Sequence, residues 1–133
     1  SQYVFTSSSM YAKLTMPTGT DSSIQVYFGA EADKLNRVQF VYVPGYLTMR
    51  ETVAGTDDDT TVAYDDVAHT WLRLRESSGT VYWEASSDGS SWNVLRSKTT
   101  TIDFSEAIAA ATAGNWNSLT GQGDLIIEHF NTP

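Results

Sequence analysis

Trp71, Arg73 and Arg75 alternate along one short segment of the chain, and Tyr82 and Glu84 alternate along the next. Alternate residues of a strand share a face. If the two segments pair, these five side chains therefore form one plane of aromatics, guanidiniums and a carboxylate. Such a plane suits sugar recognition: a ring stacks on the C–H face of a pyranose, Arg offers a fixed fork of donors, and Glu accepts from hydroxyls. The same residues also suit a cross-strand polar ladder with no ligand, and both readings stay open. The loop at Asn115-Trp116-Asn117 is expected to assist this face.

Other chemistry finds less support. His69 and His129 are the two histidines, far apart in sequence and without a cysteine nearby, so no zinc site is expected and each reads as structural. Asp57-Asp58-Asp59 and Asp65-Asp66 have the carboxylates that calcium wants, but not the D-x-D-x-D-G spacing of a loop site. A solvated loop is the plainer reading, and calcium stays open. Glycoside hydrolysis needs two facing carboxylates. Glu84 falls on a candidate binding face, whereas Glu51, Glu106 and Glu128 have no identifiable partner. There is no G-x-S-x-G elbow, P-loop or dinucleotide fingerprint, so neither enzymatic activity nor a cofactor is expected.

The plane needs a hairpin to hold it. Trp71–Arg75 and Thr80–Ser86 flank Glu76-Ser77-Ser78-Gly79, which reads as a four-residue loop ending in Gly. With Arg75 opposite Thr80, Leu74 faces Val81 and Leu72 faces Trp83, while Arg73 faces Tyr82 and Trp71 faces Glu84. The inner face is then Leu72, Leu74, Val81, Trp83 and Ala85, and a one-residue slip would mix Leu with Arg and Tyr. Asp88-Gly89 next makes a turn, and Trp92 folds back on the sandwich edge as a clasp.

Alternating runs separated by polar turns continue from end to end, predicting an all-β sandwich. Strands are expected around Ala12–Met16, Ile24–Phe28, Val38–Val43, Leu47–Arg50, Thr60–Ala63, His69–Arg75, Thr80–Ser86, Asn93–Thr99 and Leu125–Phe130. Pro44-Gly45 is a turn, and the segment 55–59 a solvated loop. Ser105–Ala113 is ambiguous. Its Ala-rich run has high helix propensity, with Ser105 as cap and Gly114 as stop, yet the pattern around it wants a strand.

The chain has 133 residues, 41% of them hydrophobic and 18% charged, which fits one globular domain. A formal charge of −8 without a basic stripe disfavours nucleic acid and anionic membranes as partners. No apolar run approaches membrane-spanning length, so no membrane insertion is expected. With no cysteine there are no disulfides or thiolate sites. The start at Ser1-Gln2-Tyr3, without Met, reads as one module cut from a longer chain or as a processed chain.

The stretch Tyr64-Asp65-Asp66-Val67-Ala68-His69-Thr70-Trp71-Leu72-Arg73-Leu74-Arg75-Glu76, continuing through Gly79–Glu84 to Ser87-Asp88-Gly89-Ser90-Ser91-Trp92, resembles a concanavalin A-like, laminin-G-type module. That module recurs in minor tail proteins of phages infecting actinobacteria and in secreted actinobacterial proteins. Its pattern is Y-D-P-V-A-H-R-W-x-R-I-R-E, then G-T-V-Y-W-E-T-S-P-D-G-x-x-W. This chain departs from it at Asp66, Thr70, Ala85 and Ser87, and none of these changes removes a core position. Weaker matches at 113–116 and 125–131 extend the resemblance over most of the chain.

The resemblance implies a two-sheet antiparallel jelly roll displayed on a virion tail or another extracellular surface, and it favours a strand over Ile108–Ala113. The function then expected is recognition of a cell-surface glycan or polysaccharide for host attachment. The alternative is a spacer that contacts other virion tail subunits and has no ligand of its own.

Overall fold

The computed structural model describes residues 4–131, which form ten strands and no helix. These are β1 (Ser9–Thr15), β2 (Ile24–Asp33), β3 (Asn36–Val43), β4 (Tyr46–Val53), β5 (Thr56–Ala63), β6 (Trp71–Ser77), β7 (Thr80–Ser86), β8 (Asn93–Thr99), β9 (Ile108–Asn115) and β10 (Ile126–Glu128). Two five-stranded sheets result, ordered β10-β1-β6-β7-β8 and β5-β4-β3-β2-β9, and every pairing is antiparallel.

Tight turns set the registers. Ala54 and Gly55 join β4 to β5, and Ser78 and Gly79 join β6 to β7, all four with positive φ. Left-handed backbone at both central residues gives a two-residue hairpin the twist its strands need. Two expectations are corrected here. The loop expected at 76–79 is the two-residue turn Ser78-Gly79, so Leu74 faces Trp83, Leu72 faces Ala85, Arg73 faces Glu84 and Arg75 faces Tyr82. The slip is two residues, one side-chain period, so every residue keeps its expected face. The segment expected as a solvated loop at 55–59 is mostly β5, paired along its length with β4.

Between the sheets lies one core. Met10, Ala12, Leu14, Leu72, Leu74, Val81, Trp83 and Ala85 meet Val26, Phe28, Ala30, Val38, Phe40, Tyr42, Leu47 and Met49. Trp83 is fully buried, and its indole N–H donates to the Gln39 carbonyl at 3.0 Å, tying one sheet to the other. Along one open side Arg96 and Lys98 of β8 reach across to β4 and β5. Arg96 donates to the Met49 and Asp58 carbonyls and pairs with the Asp58 carboxylate, while Lys98 pairs with Asp58 and buried Glu51.

The Ala-rich segment is strand β9, which pairs with β2 from Ile108 to Asn115. Eight residue pairings with β2 outweigh the local helix preference of its alanines. The last strand is shorter than expected. It stops at Glu128 because His129 turns left-handed (φ 51°), and Asn131 then rejoins the sheet by exchanging hydrogen bonds with the Tyr11 backbone.

Candidate functional site

The hairpin gathers four of the expected residues into one unit. Glu84 is 3% exposed and accepts from Arg73 Nε at 2.6 Å and from Arg75 Nη2 at 2.9 Å. The Arg73 guanidinium lies 4.2 Å from the Trp92 ring, and that of Arg75 lies 4.0 Å from Tyr82. The rings are attracted to the cations they carry, and the carboxylate holds both cations in place. Burial pushes the Glu84 carboxyl up, but the two guanidiniums outweigh it and hold it below its ordinary value. The hydrogen bond to Glu84 in turn raises Arg75. A carboxyl held ionised in this way suits a hydrogen-bond acceptor better than a general acid.

Trp71 is less available than the alternation suggests. The Asp88-Gly89 turn rests on its indole: a Cβ added to Gly89 would lie 2.9 Å from Trp71 Cε2, and φ there is 75°. Glycine is required on both counts. The Asp88 carboxylate builds that turn by accepting from Ser86 Oγ and from the Ser90 and Ser91 amides. The His129 ring also sits 5.5 Å from Trp71. The stacking surface of this face is Tyr82 together with Tyr11 and Trp92, whose rings meet edge-on at 6.1 Å. Trp92 is thus a half-buried lid on Arg73, in place of the expected edge clasp. Tyr11 had a signal in the sequence, since it points outward on β1, which pairs with β6 and sets Tyr11 opposite Arg73.

Asn115 and Trp116 do not join this face. Asn115 ends β9, at the edge of the second sheet, whose outer surface points away from the hairpin's, and Trp116 follows it. The Asn115 side chain exchanges hydrogen bonds with Leu119 and shapes its own turn. Trp116 is 62% exposed and borders a pocket of about 310 Å³ with Gln25, Tyr27, Thr112 and Gly114. A second pocket of about 260 Å³ shares Tyr27 and Thr112 and continues to Glu31, Arg37, Gln39, Arg50 and Ala110.

The acidic clusters are engaged internally. Asp57 and Asp59 pair with Arg50, while Asp58 pairs with Arg96 and Lys98. Asp65 accepts from the Val67 and Ala68 amides. Among the described residues no group of three or more His, Asp or Glu is placed to hold a metal. A cavity of about 690 Å³ opens beside Tyr42, Tyr64, Asp65, Asp66 and Thr70. Burial, and secondarily Tyr42 and the two aspartates, push the Tyr64 phenol to about 12. His69 is buried beside Tyr64 and accepts the Asp65 amide at Nδ1, so desolvation favours its neutral form.

No family model matches the chain, and no curated protein matches it. Solved structures do share the fold. A Saccharomyces cerevisiae protein described as functionally unknown superposes with a TM-score of 0.67 at 13% identity, covering 98% of this chain and 70% of that one. Sheep galectin-11, solved in complex with glycerol, superposes with a TM-score of 0.53 at 12% identity, covering 96% and 94%. The chain is therefore an all-β sandwich of the galectin-like, concanavalin A-like kind.

Proposed function

We propose that this domain is a non-catalytic recognition module that binds cell-surface carbohydrate, one module of a longer chain carried on a phage tail or fibre for host attachment. The observation that carries the reading is the outer face of the hairpin. Buried Glu84 holds Arg73 over the Trp92 ring and Arg75 over the Tyr82 ring, with Tyr11 beside them. A platform rigid before binding loses little side-chain entropy when a sugar stacks on it. The sandwich shared with a galectin and the tail-module pattern over residues 64–92 agree with it. The lowered Glu84 carboxyl argues against a hydrolase acid at this face.

The test is a pulldown on actinobacterial cell walls together with a glycan array, using the parent chain and the Tyr11→Ala, Tyr82→Ala double variant. Those changes remove stacking surface and leave the Arg73–Glu84–Arg75 cluster in place. Binding by the parent and at least a roughly tenfold loss in the variant, with melting nearly unchanged, is the expected outcome. Equal retention of both chains would refute the hairpin face as the site.

One observation favours a second reading, a spacer or subunit-contact domain. Glu84 already engages both guanidiniums, and Gly89 and His129 crowd Trp71. A parent chain that ignores every glycan but co-purifies with neighbouring tail subunits would establish that reading.

A further inference from the structure

The outer face of the second sheet carries a depression with a cause in the sequence. Gly29 sits inside β2, opposite Gln39 on one side and Ala110 on the other. Gln39 packs over Gly29, and beside it Ala110 has a single methyl, so the sheet surface drops there between Tyr27 and Glu31. A Cβ at Gly29 would lie 2.2 Å from the Val38 carbonyl oxygen and 2.7 Å from Gln39 Cγ, so no other residue fits there. Gln39 and Ala110 border the resulting trough, and Tyr27 and Thr112 continue it toward Trp116.

Two polar atoms of residues that line this trough are buried without a partner. Gln39 is 4% exposed; its amide nitrogen donates to Glu31 Oε1 at 3.1 Å, which fixes the amide's orientation and leaves Oε1 unpaired. Arg37, two residues away on the same face of β3, donates from Nη1 to the Lys34 carbonyl, while its Nε–H is buried and unpaired. The nearest cross-strand donor for Gln39 is Arg50, directly opposite it. Its guanidinium is committed instead to Asp59, through Nε and Nη2 at 2.8 Å each, and to Asp57. Buried polar atoms are nearly always satisfied in folded proteins, and those that are not call for an explanation.

We infer that the trough lined by Gln39, Arg37, Tyr27 and Thr112 is a binding site for a neutral polyhydroxyl ligand, a saccharide, with Gln39 Oε1 and Arg37 Nε as its polar anchors. The charge pattern selects the class. Oε1 requires a donor and Nε requires an acceptor. An anion would satisfy Arg37 but set its oxygens against Gln39 Oε1 and the Glu31 carboxylate, and a cation would fail at Arg37. A hydroxyl both donates and accepts, so neighbouring hydroxyls on one ring serve both atoms. Tyr27 and exposed Trp116 supply apolar walls for the ring's C–H faces. This site is independent of the hairpin face, which lies on the opposite side of the sandwich.

The experiment is a titration of the isotope-labelled chain followed by NMR, with glucose and N-acetylglucosamine as probes and sodium sulfate as the charged control. Saturable shifts are expected at the Gln39 side-chain amide, the Arg37 Nε–H, Tyr27 and Thr112, with either sugar and not with sulfate. Gln39→Leu removes the acceptor, and Ala110→Leu fills the trough while leaving both anchors; each should weaken sugar binding at least roughly tenfold. Ala110→Leu, from a half-buried strand position, carries the test if Gln39→Leu does not fold. Equal shifts with sulfate would overturn the ligand class. No shift with either sugar would assign the two atoms to bridging water and overturn the site. Shifts confined to Arg73, Tyr82 and Trp92 would overturn the trough while supporting the hairpin face.

Discussion

The two outer faces of the sandwich draw on the same residue types, arginine, tyrosine and a carboxylate, and leave them in different states. On the hairpin face the carboxylate sits between two guanidiniums on neighbouring positions, and each cation also has a ring to lie on. On the trough face the ion pairs are drawn to one side. Arg50 turns to Asp57 and Asp59 on β5, and Gln39 turns to Glu31 on β2, so the ground between them keeps an acceptor and a donor unpaired. Each such atom costs about 1–3 kcal/mol when buried. The difference teaches that the same residue types can build a self-paired platform on one face and leave unpaired groups on the other. A closed cluster presents a fixed surface; a gap in the pairing leaves polar atoms unsatisfied.

The comparison rests on the sheets being coupled through Trp83, whose indole fills the core under the hairpin and whose N–H reaches the Gln39 carbonyl under the trough. Trp83→Ala should therefore give the largest effect, a loss of about 3–5 kcal/mol in chemical denaturation. Its amide shifts should spread to both faces. A loss below about 1 kcal/mol would show that the faces are held independently.

Next in size is Glu84→Ala. It removes one buried carboxylate and leaves two part-exposed guanidiniums that water can partly solvate, so about 2 kcal/mol is expected. Tyr82 and Trp92 should then lose their ordered partners, read as loss of near-ultraviolet circular dichroism. An unchanged melt would mean that the rings alone hold the arginines.

The sequence made the hairpin face legible because alternation survives error. The register was two residues off, and yet Leu72, Leu74, Val81 and Trp83 went inward while Arg73, Arg75 and Tyr82 went outward. What alternation could not show was where a loop returns. Trp92 lies over Arg73 because the Asp88-Gly89 turn carries it there, and the same turn covers Trp71. The placement of Asn115 and Trp116 depended on which sheet β9 joins, a long-range pairing with β2 that no local pattern encodes. The trough had one overlooked signal: Gly29 reads as the end of a strand but lies within one, where a glycine marks close backbone approach. That Arg50 would abandon Gln39 for Asp59 depends on β5 being a strand, and its run of aspartates read as loop.

Acid titration should give the smallest effect and separate the faces most cleanly. Burial raises the Glu84 carboxyl, and the hydrogen bonds from Arg75 and Arg73 more than reverse this, so the folded state sits below the ordinary 4.5. Between 4.5 and that lower value the unfolded chain binds the extra proton. The contribution of Glu84 is therefore fully present above about pH 4.5 and is lost as pH falls through the folded value. Exposed aspartates such as Asp58, Asp65 and Asp88 are lowered too and add their own loss in acid. The informative quantity is thus the difference between parent and variant. Glu84→Gln should be less stable than the parent at pH 7, with the gap narrowing as pH drops below 4.5. Gln39→Leu replaces a group that does not titrate, and its stability curve should run parallel to the parent's across the same range. Parallel curves for both variants would show that the guanidiniums do not hold Glu84 ionised, and the contrast between a closed cluster and an open trough would lose its electrostatic basis.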